Sequence, residues 1–184
     1  KKHNHNIKVY PQDIHHYPEE HLTKYLDDNE FDFVCCSVIG GYYQYRKLLS
    51  ISKAINQSKN RHKFKYLIGG YGPTPESAYY LKKTGADIVV RGEGEKILNN
   101  VLSGTNLEDI KGITYKNGSG VFFNKEESQI EDVSSIEFPL YEIFDIQYYR
   151  LFQTSCSART DFILPIMSGR GCRFSCSFCY NPYK

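Results

Sequence analysis

Short apolar runs that each end in a glycine cluster and give way to a helix-period stretch constrain this 184-residue chain more than any other feature. Residues 31–39 form a nearly all-apolar run ending at Gly40-Gly41, residues 64–68 end at Gly69-Gly70, and residues 86–90 enter Arg91-Gly92-Glu93-Gly94-Glu95. Between and after them, residues 43–58, 75–84 and 95–102 carry helical patterns, the second closed by Gly85 where a left-handed residue is wanted. Upstream, residues 7–10 read as a further strand and 18–28 as a helix with proline and glutamates in its first turn. This alternation specifies a parallel sheet covered by helices. In such a sheet ligands sit beyond the carboxyl ends of the strands, where glycine lets a ligand approach the backbone. Gly40, Gly41, Gly69, Gly70, Gly72, Arg91, Gly92, Glu93 and Gly94 are therefore the candidate ligand rim.

Past the alternation, residues 112–123 read as a hairpin, because Asn117-Gly118 between two β-rich runs favours a type I′ turn. Residues 126–149 are acidic and then aromatic, as in a connector, and residues 162–167 form a last strand before Ser168-Gly169-Arg170-Gly171. Cys172, Cys176 and Cys179 follow, in a C-x3-C-x2-C spacing that offers three thiolates to one metal. A structural zinc site closes four positions, and neither a second cysteine pair nor a nearby histidine completes this one. Three thiolates suit better a 4Fe-4S cluster whose fourth iron stays open to an exogenous ligand.

With Phe178 directly before the third cysteine, this loop resembles the cluster loop of the radical S-adenosylmethionine (SAM) enzymes. The resemblance implies that Cys172, Cys176 and Cys179 bind three irons, that SAM chelates the fourth with Phe178 beside it, and that reductive cleavage of SAM yields a 5′-deoxyadenosyl radical. The α/β region, with its strand ending in Gly-Gly and its Arg-Gly-Glu-Gly-Glu, resembles the flavodoxin-like cobalamin-binding domain that precedes the radical domain in one large class of these enzymes. That implies a doubly wound Rossmann-like sheet over residues 1–110, a hairpin and connector over 111–160, and from 161 to 184 the first strand and cluster loop of a partial (β/α) barrel. It also implies cobalamin at the glycine rim, an electron donor such as flavodoxin or ferredoxin, and methyl transfer to, or cyclisation of, an unreactive carbon in a small-molecule substrate. Two alternatives stand beside it: a non-catalytic cobalamin-binding module, and a radical SAM enzyme whose α/β domain no longer binds cobalamin. The domain's usual opening strand and helix do not precede residue 7, and the one methionine is Met167, so an N-terminal truncation is expected, with a gap at the centre of the sheet. The later barrel strands are likewise expected beyond Lys184, so this polypeptide by itself should not turn over.

A formal net charge of +2 with scattered Lys and Arg offers no nucleic-acid stripe. No apolar run approaches the roughly 20 residues that span a bilayer, and no signal-type segment follows Lys1, so a cytoplasmic protein is expected. Of the six cysteines, Cys35 and Cys36 read as small buried hydrophobes in a strand and Cys156 as a free thiol. Asp13-Ile14-His15-His16-Tyr17-Pro18 resembles a corrinoid Asp-x-His-x-x-Gly signature, but Pro18 stands for the glycine and the next strand comes too soon, so His15 reads as a solvated residue rather than a cobalt ligand. Glu93 and Glu95 suit the start of a helix better than acid-base chemistry. Tyr42, Tyr43 and Tyr45 beside Gly40-Gly41 are candidates for stacking on a corrin or for plain helix packing.

Overall fold

A computed structural model describes residues 5–118, 120–149, 169–172 and 174–179. In chain order these form α1 (Gln12–His15), α2 (Glu19–Asp28), β1 (Phe33–Ser37), α3 (Tyr42–Gln57), β2 (Lys65–Gly69), α4 (Ser77–Thr84), β3 (Ile88–Val90), α5 (Gly94–Leu102), β4 (Ile113–Asn117), β5 (Gly120–Phe123) and α6 (Ile146–Tyr149). The chain divides into two compact units, one of residues 1–17 with 132–171, the other of residues 18–131 with 172–184.

The larger unit is built on a five-stranded sheet of order β1-β2-β3-β4-β5. β1, β2 and β3 run parallel, so their carboxyl ends share one edge, while β4 and β5 return antiparallel as a hairpin on the same sheet. Both βαβ connections step in the same direction, and right-handed crossovers then put α3 and α4 on one face. In keeping with that, α3 packs against both α2 and α4. Side-chain alternation assigns the layers. Tyr66, Ile68, Val89 and Thr114 point towards α3 and α4: the Tyr66 and Ser52 hydroxyls lie 2.8 Å apart, as do those of Ser77 and Thr114. Leu67, Ile88, Val90, Ile113 and Tyr115 point the other way, into a core closed by Ile97 and Val101 of α5. With helices on both faces, the expected Rossmann-like α/β class is the observed one.

The helices take their limits from the residues that the pattern indicated. Pro18 and two glutamates open α2, whose Leu22 and Leu26 fall one turn apart and are buried. Gly85 ends α4 in the left-handed conformation, its N–H donating to the Leu81 carbonyl. At the amino ends of β2 and β3, Arg61 donates to Asp87 at 3.0 Å and to the Phe64 and Gly85 carbonyls, and the same Asp87 oxygen accepts the Tyr66 N–H at 2.7 Å. This polar knot fixes the end of the sheet away from the glycine rim.

Tyr66 is wholly buried, and its hydroxyl is satisfied by Ser52. Tyr66→Phe therefore strands the Ser52 hydroxyl and is expected to lower stability by about 1–2 kcal/mol, read as an earlier urea midpoint at unchanged slope. The double variant with Ser52→Ala should recover part of that loss. A Tyr66→Phe midpoint equal to the parent's would mean that the buried pair contributes nothing.

Three local expectations are corrected. Residues 7–10 form no strand: they have no ladder partner, and the sheet begins at β1. Cys35 and Cys36 are not both buried. β1 is an edge strand, Cys35 shares the Leu67 face beyond the reach of α5 and is exposed, and Cys36, on the α3 face, is half-buried. Burial pushes the Cys36 thiol up to about 11. The hairpin turn also lies one residue on from its expected place: Asn117 pairs with Gly120, and Gly118, at φ 56°, heads the turn instead of closing it.

In the smaller unit, the Tyr149 hydroxyl donates to the Asp13 carboxylate, 3.1 and 3.0 Å from its two oxygens. His15 is exposed at the end of α1, stacked on Tyr17 at 5.0 Å and edge-on to Tyr148 at 5.3 Å. No helix among the described residues is long and apolar enough to cross a membrane. The expected strand at 162–167, and Cys156, lie outside the described residues.

Candidate cofactor rim and cysteine loop

Because β1, β2 and β3 are parallel, the loops that leave them emerge at one edge of the sheet, and the candidate glycines sit on those loops. The first two loops are tied by backbone alone. The Val38 N–H donates to the Gly69 carbonyl at 3.0 Å, and the Gly72 N–H to the Val38 carbonyl at 3.1 Å. Gly70 lies directly beneath that crossing at φ 100°, where a β-carbon would come within 2.5 Å of the Val38 oxygen. Gly69 and Gly72 face neighbours at 3.5 Å and 3.3 Å. Gly70, and to a lesser degree Gly72, let the first two rim loops pack on one another, whereas Gly69 meets β3 at an ordinary contact distance.

Gly40, Gly41 and Gly92 differ: a methyl group at any of them would meet nothing within 4 Å. Their bare backbone faces outward at the carboxyl edge, a surface on which a large planar group could lie against main chain. Gln44 steadies the first of them, its Oε1 accepting the Gly40 N–H at 2.8 Å. Beside it Ile39, Tyr42 and Tyr43 are 73%, 65% and 86% exposed, so apolar surface flanks the open glycines. Tyr45, by contrast, packs between helices, its hydroxyl 2.7 Å from that of Tyr79.

Arg91 and Glu93 are engaged with protein. The Arg91 guanidinium donates to the carbonyls of Ile113 and Asn124, and the Arg91 backbone N–H donates to the Gly112 carbonyl at 2.7 Å, bracing β3 against the hairpin. Burial lowers its pKa from the ordinary arginine value, with Glu126 acting in the opposite sense. The Glu93 carboxylate accepts the Ile130 N–H at 2.5 Å instead of capping α5, at whose N-cap it stands. Gly94 begins α5. Sequence reasoning passed over Gln44 and Thr74. The Thr74 hydroxyl donates to the Gly70 carbonyl at 2.8 Å and accepts the Gly92 N–H at 3.3 Å, joining the second loop to the third. A threonine just after Gly-Pro in a loop was the available signal, since short hydroxyls there bond neighbouring backbone.

In the cysteine loop, Cys172, Cys176 and Cys179 are all exposed and in no disulfide, and the Cys179 N–H donates to the Cys176 carbonyl at 3.2 Å, turning the chain between the last two. Phe178 is 91% exposed. Among the described residues no three ligating side chains converge as a metal site. The donor set nevertheless suits an iron-sulfur centre, because such clusters take thiolates, and ligands on a short exposed loop can gather on the metal as it binds.

The family model for the B12 binding domain matches residues 1–102, ending at the last residue of α5. Two curated relatives each align with half of the chain. An uncharacterized methyltransferase of Pyrococcus horikoshii is 30% identical over 97 residues, covering 50% of this chain and 20% of that protein. The anaerobic magnesium-protoporphyrin IX monomethyl ester cyclase of Cereibacter sphaeroides is 31% identical over 100 residues, covering 50% of this chain and 15% of that protein. The chain thus spans a fifth or less of the length of either relative. Among solved structures, the radical S-adenosylmethionine methyltransferase TsrM of Kitasatospora setae, with tryptophan and a SAM analogue bound, superposes with a TM-score of 0.44 at 17% identity over 58% of this chain and 21% of that one. The family match takes in every βα unit that carries the open glycine rim, and with more than half of the residues inside it, the chain belongs to the B12-binding domain family.

Proposed function

We propose that this chain is the cobalamin-binding and cluster-loop portion of a cobalamin-dependent radical SAM enzyme, arranged as a cobalamin domain over residues 1–110, a connector over 111–160 and the opening of a radical domain from 161 to 184. The observation that carries the reading is the sequence order: a B12-binding domain followed, in one polypeptide, by Cys172, Cys176 and Cys179 at C-x3-C-x2-C spacing. The rim would hold cobalamin against the bare backbone of Gly40, Gly41 and Gly92, with Gly70 and Gly72 keeping the loops beside Gly69 in place, Arg91 holding the third loop to the hairpin, Glu93 holding it to the segment at Ile130, and Gly94 leading into α5. The three thiols would hold a 4Fe-4S cluster, with Phe178 beside the open iron. When bound, these cofactors and SAM supply radical and methyl-transfer chemistry, and the protein supplies placement. The relatives named as a methyltransferase and a cyclase support methyl transfer or ring closure as the outcome. A small-molecule substrate altered at an unreactive carbon and an electron donor of flavodoxin or ferredoxin type follow from the family resemblance alone.

A second reading is a cobalamin-binding module with no catalytic role, and the family match over residues 1–102 is common to both. Hydroxocobalamin titration followed by anaerobic reconstitution with iron and sulfide separates the two. Corrinoid binding together with a cluster spectrum is expected. Corrinoid binding with no cluster leaves the module, and a cluster with no corrinoid binding leaves a radical SAM enzyme that has lost cobalamin.

A further inference from the structure

We propose that Thr74 is a positioning residue of the rim, a latch through which the loop after β2 sets the backbone face that Gly92 offers to cobalamin. The inference rests on the cobalamin reading above. A hydroxyl has one proton to donate and lone pairs to accept with, and Thr74 uses both capacities: Oγ1 donates to the Gly70 carbonyl at 2.8 Å and accepts the Gly92 N–H at 3.3 Å. Its two partners have opposite surroundings. Gly70 is locked under Val38, whereas Gly92, at φ 82°, has open space on its outer side. The latch therefore runs from the most constrained point of the rim to one of its least constrained.

Together with the backbone links from Val38 to Gly69 and Gly72, it joins all three glycine loops in series, and Thr74 is the side chain that carries the step from the second to the third. Glycine loses more conformational freedom on ordering than any other residue. A Gly92 already held by Thr74 is ordered before the ligand arrives, and such preorganisation is felt as affinity.

Thr74→Val keeps the shape and removes the hydroxyl, and Thr74→Ser keeps the hydroxyl. Two readouts are taken on the parent protein and both variants: amide hydrogen exchange at Gly92 without corrinoid, and hydroxocobalamin affinity. Thr74→Val should speed Gly92 exchange by about tenfold, leave the core-strand amides of Leu67 and Val89 unchanged, and weaken hydroxocobalamin about three- to tenfold, the range of one ordinary hydrogen bond. Thr74→Ser should match the parent in both. Unchanged Gly92 exchange in Thr74→Val overturns the latch. Faster exchange with unchanged affinity overturns the positioning role and leaves a purely structural bond. If the parent itself binds no hydroxocobalamin, the cobalamin reading fails and the positioning role with it, and the exchange data still report whether the latch exists.

Discussion

Cys176→Ala, reconstituted anaerobically with iron and sulfide, should lose the visible cluster absorption that the parent protein acquires. The triad supplies three thiolates, and removing the middle one leaves Cys172 and Cys179 with two vacant corners between them. Even outer-sphere partners of metal ligands are worth about 10–100-fold in metal affinity, so loss of a ligand should weaken cluster binding by at least that range. The control is Cys35→Ala: that cysteine is also exposed and free but lies on β1, outside the motif, and its loss should leave the spectrum intact. An unchanged cluster band in Cys176→Ala would falsify the ligand assignment. Tightly held zinc with no iron uptake would instead turn the loop into a structural metal site.

The second large effect is expected at the glycine rim. Gly70→Ala should cost about 3 kcal/mol or more of stability and lower the melting temperature by roughly 10 °C or more. Two causes add. At φ 100° an L side chain is strained, and the new β-carbon would lie 2.5 Å from the Val38 oxygen and 3.0 Å from the Val38 nitrogen. Both of those are backbone atoms, and the same Val38 groups already bond Gly69 and Gly72, so they cannot move aside without opening the crossing of the two loops. Gly104→Ala isolates the first cause, since Gly104 has φ 76° with nothing within 4 Å, and it should cost only about 1 kcal/mol. Calorimetry on both variants decides the matter. Equal losses would mean that the Val38 approach adds nothing and that Gly70 is needed for its dihedral alone.

Much of the architecture was legible because it is encoded locally. The three apolar runs, the helices between them and the cap at Gly85 follow from periodicity and from single-residue conformational preference, which act over a few neighbours. The errors came where the outcome depends on a partner. Residues 7–10 have a strand's composition, yet a strand exists only with a ladder to join. Cys35 sits in an apolar run but ended on an edge that α5 does not cover, a fact of layer geometry and not of composition. The Asn-Gly signal located the hairpin, and strand register then placed Gly118 at the head of the turn.

The site divides in the same way. The glycine clusters and the spacing of Cys172, Cys176 and Cys179 are properties of the sequence, and they indicated the fold class, the candidate edge and the candidate ligands, since tight βα turns and thiolate ligation both depend on residue type at fixed local intervals. Which glycines are open and which are wedged, why Arg91 and Glu93 are turned to the hairpin and the segment after it, and how Thr74 joins two loops were decided only by tertiary structure. Gly70 and Gly92 look alike in sequence. They differ because one was brought beneath the carbonyl of a neighbouring strand and the other was left facing outward, and contacts between residues far apart in the chain exist only once the sheet has assembled.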